Sequence, residues 1–128
     1  MGQLKLLIVD DEPDLVEFTQ KIYQMKDFIT FGATDGVTAV EIYKKERPEI
    51  VLIDVHMPFS PIDGIETLKQ IKAINKDANC IMVTRIFDKP VVEKARALGA
   101  LHYIPKPYEL ETLDKCIDEI TQKLAKKG

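Results

Sequence analysis

Cysteine is scarce in this sequence: Cys80 and Cys116 are the two among 128 residues, and they lie far apart. One falls in a strand-like run and the other on a helical face. Two buried, reduced thiols are expected, not a disulfide or a metal pair, and they suit a reducing, cytoplasmic setting. Excess positive charge is lacking too. A net charge of -3 without a Lys/Arg-rich block argues against direct nucleic-acid binding. Long apolar runs are also missing. "LKLLIV" is too short for a signal-peptide core and runs into acid where a cleavage site would stand. Leu6 occupies the place where myristoylation of Gly2 wants Ser or Thr, so no membrane insertion is expected. No linker, repeat or low-complexity tract interrupts the chain, and residues 1–128 are expected to form one domain. A domain of this length buries about 70% of the surface its unfolded chain would expose.

What is present is alternation. Leu4 to Val9, "FITFGAT", Glu49 to Ile53, "NCIMVT" and "ALHYI" read as five short buried strands. Helical spacing follows each: Leu15, Phe18, Ile22 and Met25; Ala39, Ile42 and Tyr43; Ile65, Leu68, Ile71 and Ile74; Val91, Val92, Ala95 and Leu98; Leu113, Ile117, Ile120 and Leu124. Thr34 or Asp35 is placed to cap the second helix, and Gly99 to close the fourth. Five strands alternating with five helices predict an α/β fold, a parallel five-stranded sheet doubly wound by helices. Right-handed crossovers bring every strand's carboxyl end to one edge, where such sheets bind ligands.

Polar residues collect at that edge. Asp10 and Asp11 end the first strand, Asp54 the third and Thr84 the fourth, and Lys106 lies just past the fifth. Acids after a strand also start helices, and Pro13 suits a first helical position, so helix capping is the plain alternative for Asp10, Asp11 and Glu12. Crowding decides against it as the whole account. Two like charges about 4 Å apart cost roughly 4 kcal/mol at an effective dielectric of 20. Crowded carboxylates raise one another's pKa unless a cation sits among them, and Lys106 balances only one charge. Carboxylate oxygens suit Mg²⁺ or Mn²⁺. A carboxylate, a hydroxyl, an ammonium and a divalent cation around one point are the parts for phosphoryl transfer to Asp. Asp54 would attack, the metal and Lys106 would neutralise developing charge, and Thr84 would donate to an equatorial oxygen.

"IVDDE", "LIDVHMP", "DG" with Gly64, "MVT" and "YIPKP" closely resemble the receiver domain of two-component response regulators, in order and spacing, over essentially the whole chain. The resemblance implies strand order 2-1-3-4-5. It implies Asp54 as phosphoacceptor from a histidine kinase or phosphotransfer protein, Asp10 and Asp11 as the acidic pair, and Asp11 as a direct Mg²⁺ ligand. The main-chain carbonyl of His56 would be a further ligand, Thr84 and Tyr103 the switch pair, and Lys106 the phosphate-binding lysine. A cis Lys106-Pro107 bond is implied as well. Output would pass to a downstream protein through the fourth helix, fifth strand and fifth helix. The active species would be a monomer or a phosphorylation-dependent dimer. No output module follows the last helix, which implies a stand-alone receiver, although "LAKKG" also suits the start of a linker.

Two departures stand out. "FSPID" between Pro58 and Gly64 is about two residues longer than usual, either a tolerated insertion or a partner contact with Phe59 exposed. Arg85 replaces a small residue after Thr84, and three placements are open: on the phosphate, on a site carboxylate, or in solvent. His56 is expected to face solvent as a neutral imidazole, and His102 to lie on the surface of the fifth strand. Two rival functions remain: a pseudo-receiver serving as a constitutive binding module, and an Asp-nucleophile phosphatase. The phosphatase is disfavoured because His56 stands where a second Asp would act as general acid. An ordinary enzyme is therefore not expected, beyond catalysis of the chain's own phosphorylation and dephosphorylation.

Overall fold

The computed structural model describes residues 3–85 and 88–127, and Gly2 lies outside them. Ten elements alternate as anticipated: β1 (Lys5–Val9), α1 (Pro13–Met25), β2 (Ile29–Ala33), α2 (Gly36–Glu46), β3 (Ile50–Asp54), α3 (Gly64–Ile74), β4 (Asn79–Thr84), α4 (Lys89–Ala97), β5 (His102–Pro105) and α5 (Leu110–Lys127). All strand pairs are parallel, in the order β2-β1-β3-β4-β5.

Because successive strand side chains point to opposite faces, the sheet feeds two cores. Leu7, Val9, Val51, Ile53, Cys80 and Met82 pack with Ala39, Tyr43, Leu68, Ile71 and Ala95 of α2, α3 and α4. Leu6, Ile8, Ile50, Leu52, Ile81 and Val83 pack on the other face with Val16, Tyr23, Leu113, Ile117 and Ile120 of α1 and α5. Strands covered on both faces read as continuous apolar runs, which is how they were recognisable.

Local signals explain the helix ends. Asp35 caps α2 by accepting from the Thr38 amide at 2.7 Å, and Asp63 caps α3 by accepting from Glu66 at 2.8 Å, each cap contributing about 1 kcal/mol. Pro13 opens α1 behind Glu12, whose side chain makes no capping bond. Gly99 follows α4 with φ +99°, the left-handed conformation that suits glycine after a helix.

The buried face of α1 departs from the expected one. Val16, Thr19 and Tyr23 are buried, whereas Phe18 is 62% and Met25 87% exposed. Tyr23 wins its place because its ring meets Phe28 edge-on and its hydroxyl donates to Asp114 of α5. Cys80 is buried, its thiol pushed up to about 12 by desolvation. Cys116 is only half-buried, since it sits at the margin of the α5 face led by Leu113, Ile117 and Ile120. Both thiols are free.

Candidate functional site

Register builds the site. Val9 pairs with Ile53, so the next residues, Asp10 and Asp54, emerge side by side at the carboxyl edge of the two central strands. Asp54 in turn pairs with Val83, and Thr84 with Pro105, which sets Thr84 and Lys106 one step beyond on neighbouring strands. The Lys106 amide donates to the Thr84 carbonyl, fixing the end of β5 against β4. The Lys106-Pro107 bond is cis, as the resemblance implied.

Carboxylate oxygens of Asp10, Asp11 and Asp54 lie within 4.8 Å of one another. The Lys106 ammonium stands 2.6 Å from Asp10 Oδ2 and 3.4 Å from Asp54 Oδ2. Asp54 is only 1% exposed. Desolvation, joined by the charge of Asp10, raises its pKa to about 6 against the opposing pull of Lys106 and the His56 amide. Burial alone would lower the Lys106 pKa, but hydrogen bonding and charge from Asp10, then Asp54, leave it raised. A carboxylate kept reluctant to ionise among other carboxylates is short of positive charge, and three hard oxygen donors at this separation fit Mg²⁺ or Mn²⁺.

Capping accounts for only part of the acidic run. Asp10 Oδ1 accepts from the Glu12 amide at 2.9 Å, turning the chain into α1. Asp11 is half-exposed and meets the Phe59 amide at 3.4 Å, while Glu12 points outward to Arg85 with 3.7 Å between carboxylate and guanidinium. Arg85 is therefore on a carboxylate at the rim, with its side chain 52% exposed.

Gly64 brings α3 hard against the site. A β-carbon there would fall 2.1 Å from the Asp54 carbonyl oxygen, and the Gly64 amide donates to Val55. The longer loop ahead of it is anchored: Ser60 accepts from the Gly36 amide at 2.8 Å and donates to the Ile62 carbonyl at 2.6 Å. At its tip Phe59 is 91% exposed.

Three placements differ from, or go beyond, the reading of the residues. His56 faces solvent only in part: the residue is half-buried, and among the described residues its buried Nε2 has no hydrogen-bond partner. His102 is half-buried, with Nε2 3.2 Å from the Glu119 carboxylate on α5. Tyr103 has its hydroxyl buried; desolvation raises its pKa while nearby Thr84 lowers it. Glu12 as partner of Arg85 and Tyr108 as neighbour of Lys106, Asp10 and Asp54 are not signalled by the sequence. Neither carries a local signal, because each is defined only by what the fold sets opposite it.

A doubly wound sheet of order 2-1-3-4-5, with an acidic cluster and a lysine at its carboxyl edge, is the architecture of a signalling receiver. The chain belongs to the response regulator receiver domains of two-component systems: the model of that family matches residues 6–118. It is 33% identical over 109 residues to the Sporulation initiation phosphotransferase F of Bacillus subtilis, covering 85% of this chain and 86% of that protein. It is 34% identical over 116 residues to the Chemotaxis protein CheY of Halobacterium salinarum, covering 91% and 95%. A CheY-like receiver domain protein from Methanospirillum hungatei superposes with a TM-score of 0.92 at 24% identity, over 99% of this chain and all of that one. Among the described residues no helix is long and apolar enough to cross a membrane.

Proposed function

We propose that this receiver accepts a phosphoryl group on Asp54 from a phosphohistidine of a histidine kinase or phosphotransfer protein, with Mg²⁺ as cofactor. The reading rests chiefly on the placement of Asp54, buried at the end of β3 between Asp10, Asp11 and the Lys106 ammonium. In the transfer, an Asp54 oxygen forms the bond to phosphorus, and the phosphorus–nitrogen bond breaks with its electron pair leaving on the imidazole. Lys106 stands ready to neutralise a phosphoryl oxygen, and the Thr84 hydroxyl to donate to another. Asp10 holds the ammonium in place through the shorter of its two contacts. Mg²⁺ or Mn²⁺, held by Asp10, Asp11, Asp54 and the main-chain carbonyl of His56, would supply the remaining neutralisation of phosphoryl charge.

Phosphorylation then redirects contacts. Thr84 turns toward the new oxygens, Tyr103 follows inward, and the face formed by α4, β5 and α5 changes its affinity for a downstream protein. The acting species is a monomer or a phosphorylation-dependent dimer, in the cytoplasm, where free thiols such as Cys80 and Cys116 remain reduced. The chain catalyses only its own phosphorylation and dephosphorylation.

Acetyl phosphate with Mg²⁺ should add one phosphoryl group, read by intact mass. A chelator should stop the reaction, and Asp54→Asn should abolish it in a folded protein. If neither a small donor nor a kinase modifies Asp54 and beryllofluoride leaves the spectrum unchanged, the chain is a pseudo-receiver that binds partners constitutively. Sustained turnover of a phosphomonoester would instead mark a phosphatase.

A further inference from the structure

Arg85 directly follows the buried Thr84, two residues past the Val83 that pairs with Asp54, and it lines two recesses. One, of about 460 Å³, holds Glu12, Lys106 and Tyr108, and the other, of about 580 Å³, holds His56, Met57 and Asp63. Its guanidinium faces Glu12 at 3.7 Å, both side chains about half exposed. The contact lacks hydrogen-bond distance and stands in water, so it is weak and readily exchanged.

Charge balance says when it would exchange. In the resting site the three clustered carboxylates and the Lys106 ammonium sum to two negative charges, which a bound divalent cation cancels. Phosphorylation replaces the single charge of Asp54 by a phosphoryl group of about −2, leaving roughly one negative charge uncompensated. Arg85 is a cation already at the mouth, and a planar guanidinium makes two parallel bonds to phosphoryl oxygens, far better than its reach to Glu12. We infer that Arg85 is a switched phosphoryl ligand: parked on Glu12 across the mouth of the resting site, it transfers to the phosphoryl group when Asp54 is modified. Glu12 thereby acts as a positioning residue that competes for Arg85 and sets the affinity of the site for its phosphoryl group. This rests on Asp54 being the phosphoacceptor.

The probe is beryllofluoride, a non-hydrolysing stand-in for the phosphoryl group, titrated with saturating Mg²⁺ and followed by fluorine NMR. Arg85→Gln should weaken binding about tenfold, and Arg85→Lys, which keeps the charge but not the fork, should fall between. Glu12→Gln should tighten binding about threefold, since Arg85 is then free to engage. In the Arg85→Gln background the same Glu12→Gln change should have no effect. Neither substitution touches the core, and the Glu12 side chain does not cap α1, so thermal melts should match the parent protein. The Arg85 side-chain NH signal should also shift on Glu12→Gln before any ligand is added. A Glu12→Gln gain that persists without Arg85 would mean simple removal of negative charge and would overturn the exchange. Unchanged binding in Arg85→Gln would return Arg85 to solvent. If the parent protein itself takes up no beryllofluoride, the phosphoacceptor reading fails first and this one with it.

Discussion

The ammonium of Lys106 lies nearer to Asp10, at 2.6 Å, than to Asp54, at 3.4 Å. The lysine is thus committed mainly to one carboxylate of the cluster, and the more deeply buried one keeps a pKa of about 6, raised by desolvation first and by Asp10 second.

That shift has a sign. A carboxyl group whose pKa is raised on folding binds protons more tightly in the native state, so stability falls as pH rises from about 4 through 6. At pH 7 the ionised Asp54 costs the metal-free protein about 3 kcal/mol, at about 1.4 kcal/mol for each pH unit between roughly 4 and 6. Asp54→Asn should therefore stabilise the metal-free protein at pH 7, and the gain should vanish near pH 4. Denaturant melts across this range check it; a gain independent of pH would mean that desolvated charge is not the cause.

Metal binding should carry the same signature. Asp54 must lose its proton to serve as a ligand, so Mg²⁺ affinity should drop as pH falls below about 6. Asp11→Ala should remove Mg²⁺ binding by at least tenfold without unfolding the chain, since Asp11 is half-exposed and gives up only a 3.4 Å contact to the Phe59 amide. Calorimetric titration decides, and an intact affinity in Asp11→Ala would place the cation elsewhere.

Gly64→Ala should be costly out of proportion to one methyl group. The new carbon would meet the Asp54 carbonyl oxygen at 2.1 Å, and backbone has no rotamer with which to retreat. A loss of about 1–3 kcal/mol in stability is expected, together with weakened Mg²⁺ binding because the end of β3 must move. A neutral substitution in both assays would show that α3 is free to slide away.

Thr84→Ala tests the coupling to Tyr103. The mutant should still be phosphorylated on Asp54, while the change in partner affinity on phosphorylation shrinks at least fivefold, the lower end of ordinary coupling energies. Comparing binding of the phosphorylated and unphosphorylated forms reads it directly. A full partner response without the Thr84 hydroxyl would sever Tyr103 from the switch.

Much of this architecture was legible before any coordinates. Strands buried on both faces announce themselves as unbroken apolar runs, and a polar residue ending such a run lies at the sheet edge whatever the loops do. Asp10, Asp54, Thr84 and Lys106 were found that way, and the resemblance supplied strand order and roles. Helix faces were less readable. On α1, Leu15, Phe18, Ile22 and Met25 form a stripe as regular as any core, yet the neighbouring stripe of Val16, Thr19 and Tyr23 is the buried one. Spacing fixes a period and not a phase, and a Tyr whose hydroxyl finds Asp114 is as good a core residue as a Met. The buried Nε2 of His56 and the pairing of Arg85 with Glu12 depend on loops from three parts of the chain, for which sequence carries no rule.

The register that sets Val9 against Ile53 has one further effect. Asp10 and Asp54 stand 44 residues apart in sequence, and Lys106 comes another 52 residues later, so a fragment must span at least residues 10–106 to hold all three charges. Contacts of such long range form only when the intervening chain has closed around them. A truncated or half-folded copy would present isolated aspartates, indistinguishable from those on any surface. The proposed phosphorylation of Asp54 would therefore be an internal certificate of folding: only a finished molecule could carry the mark, and damaged copies would stay silent without competing for the signal.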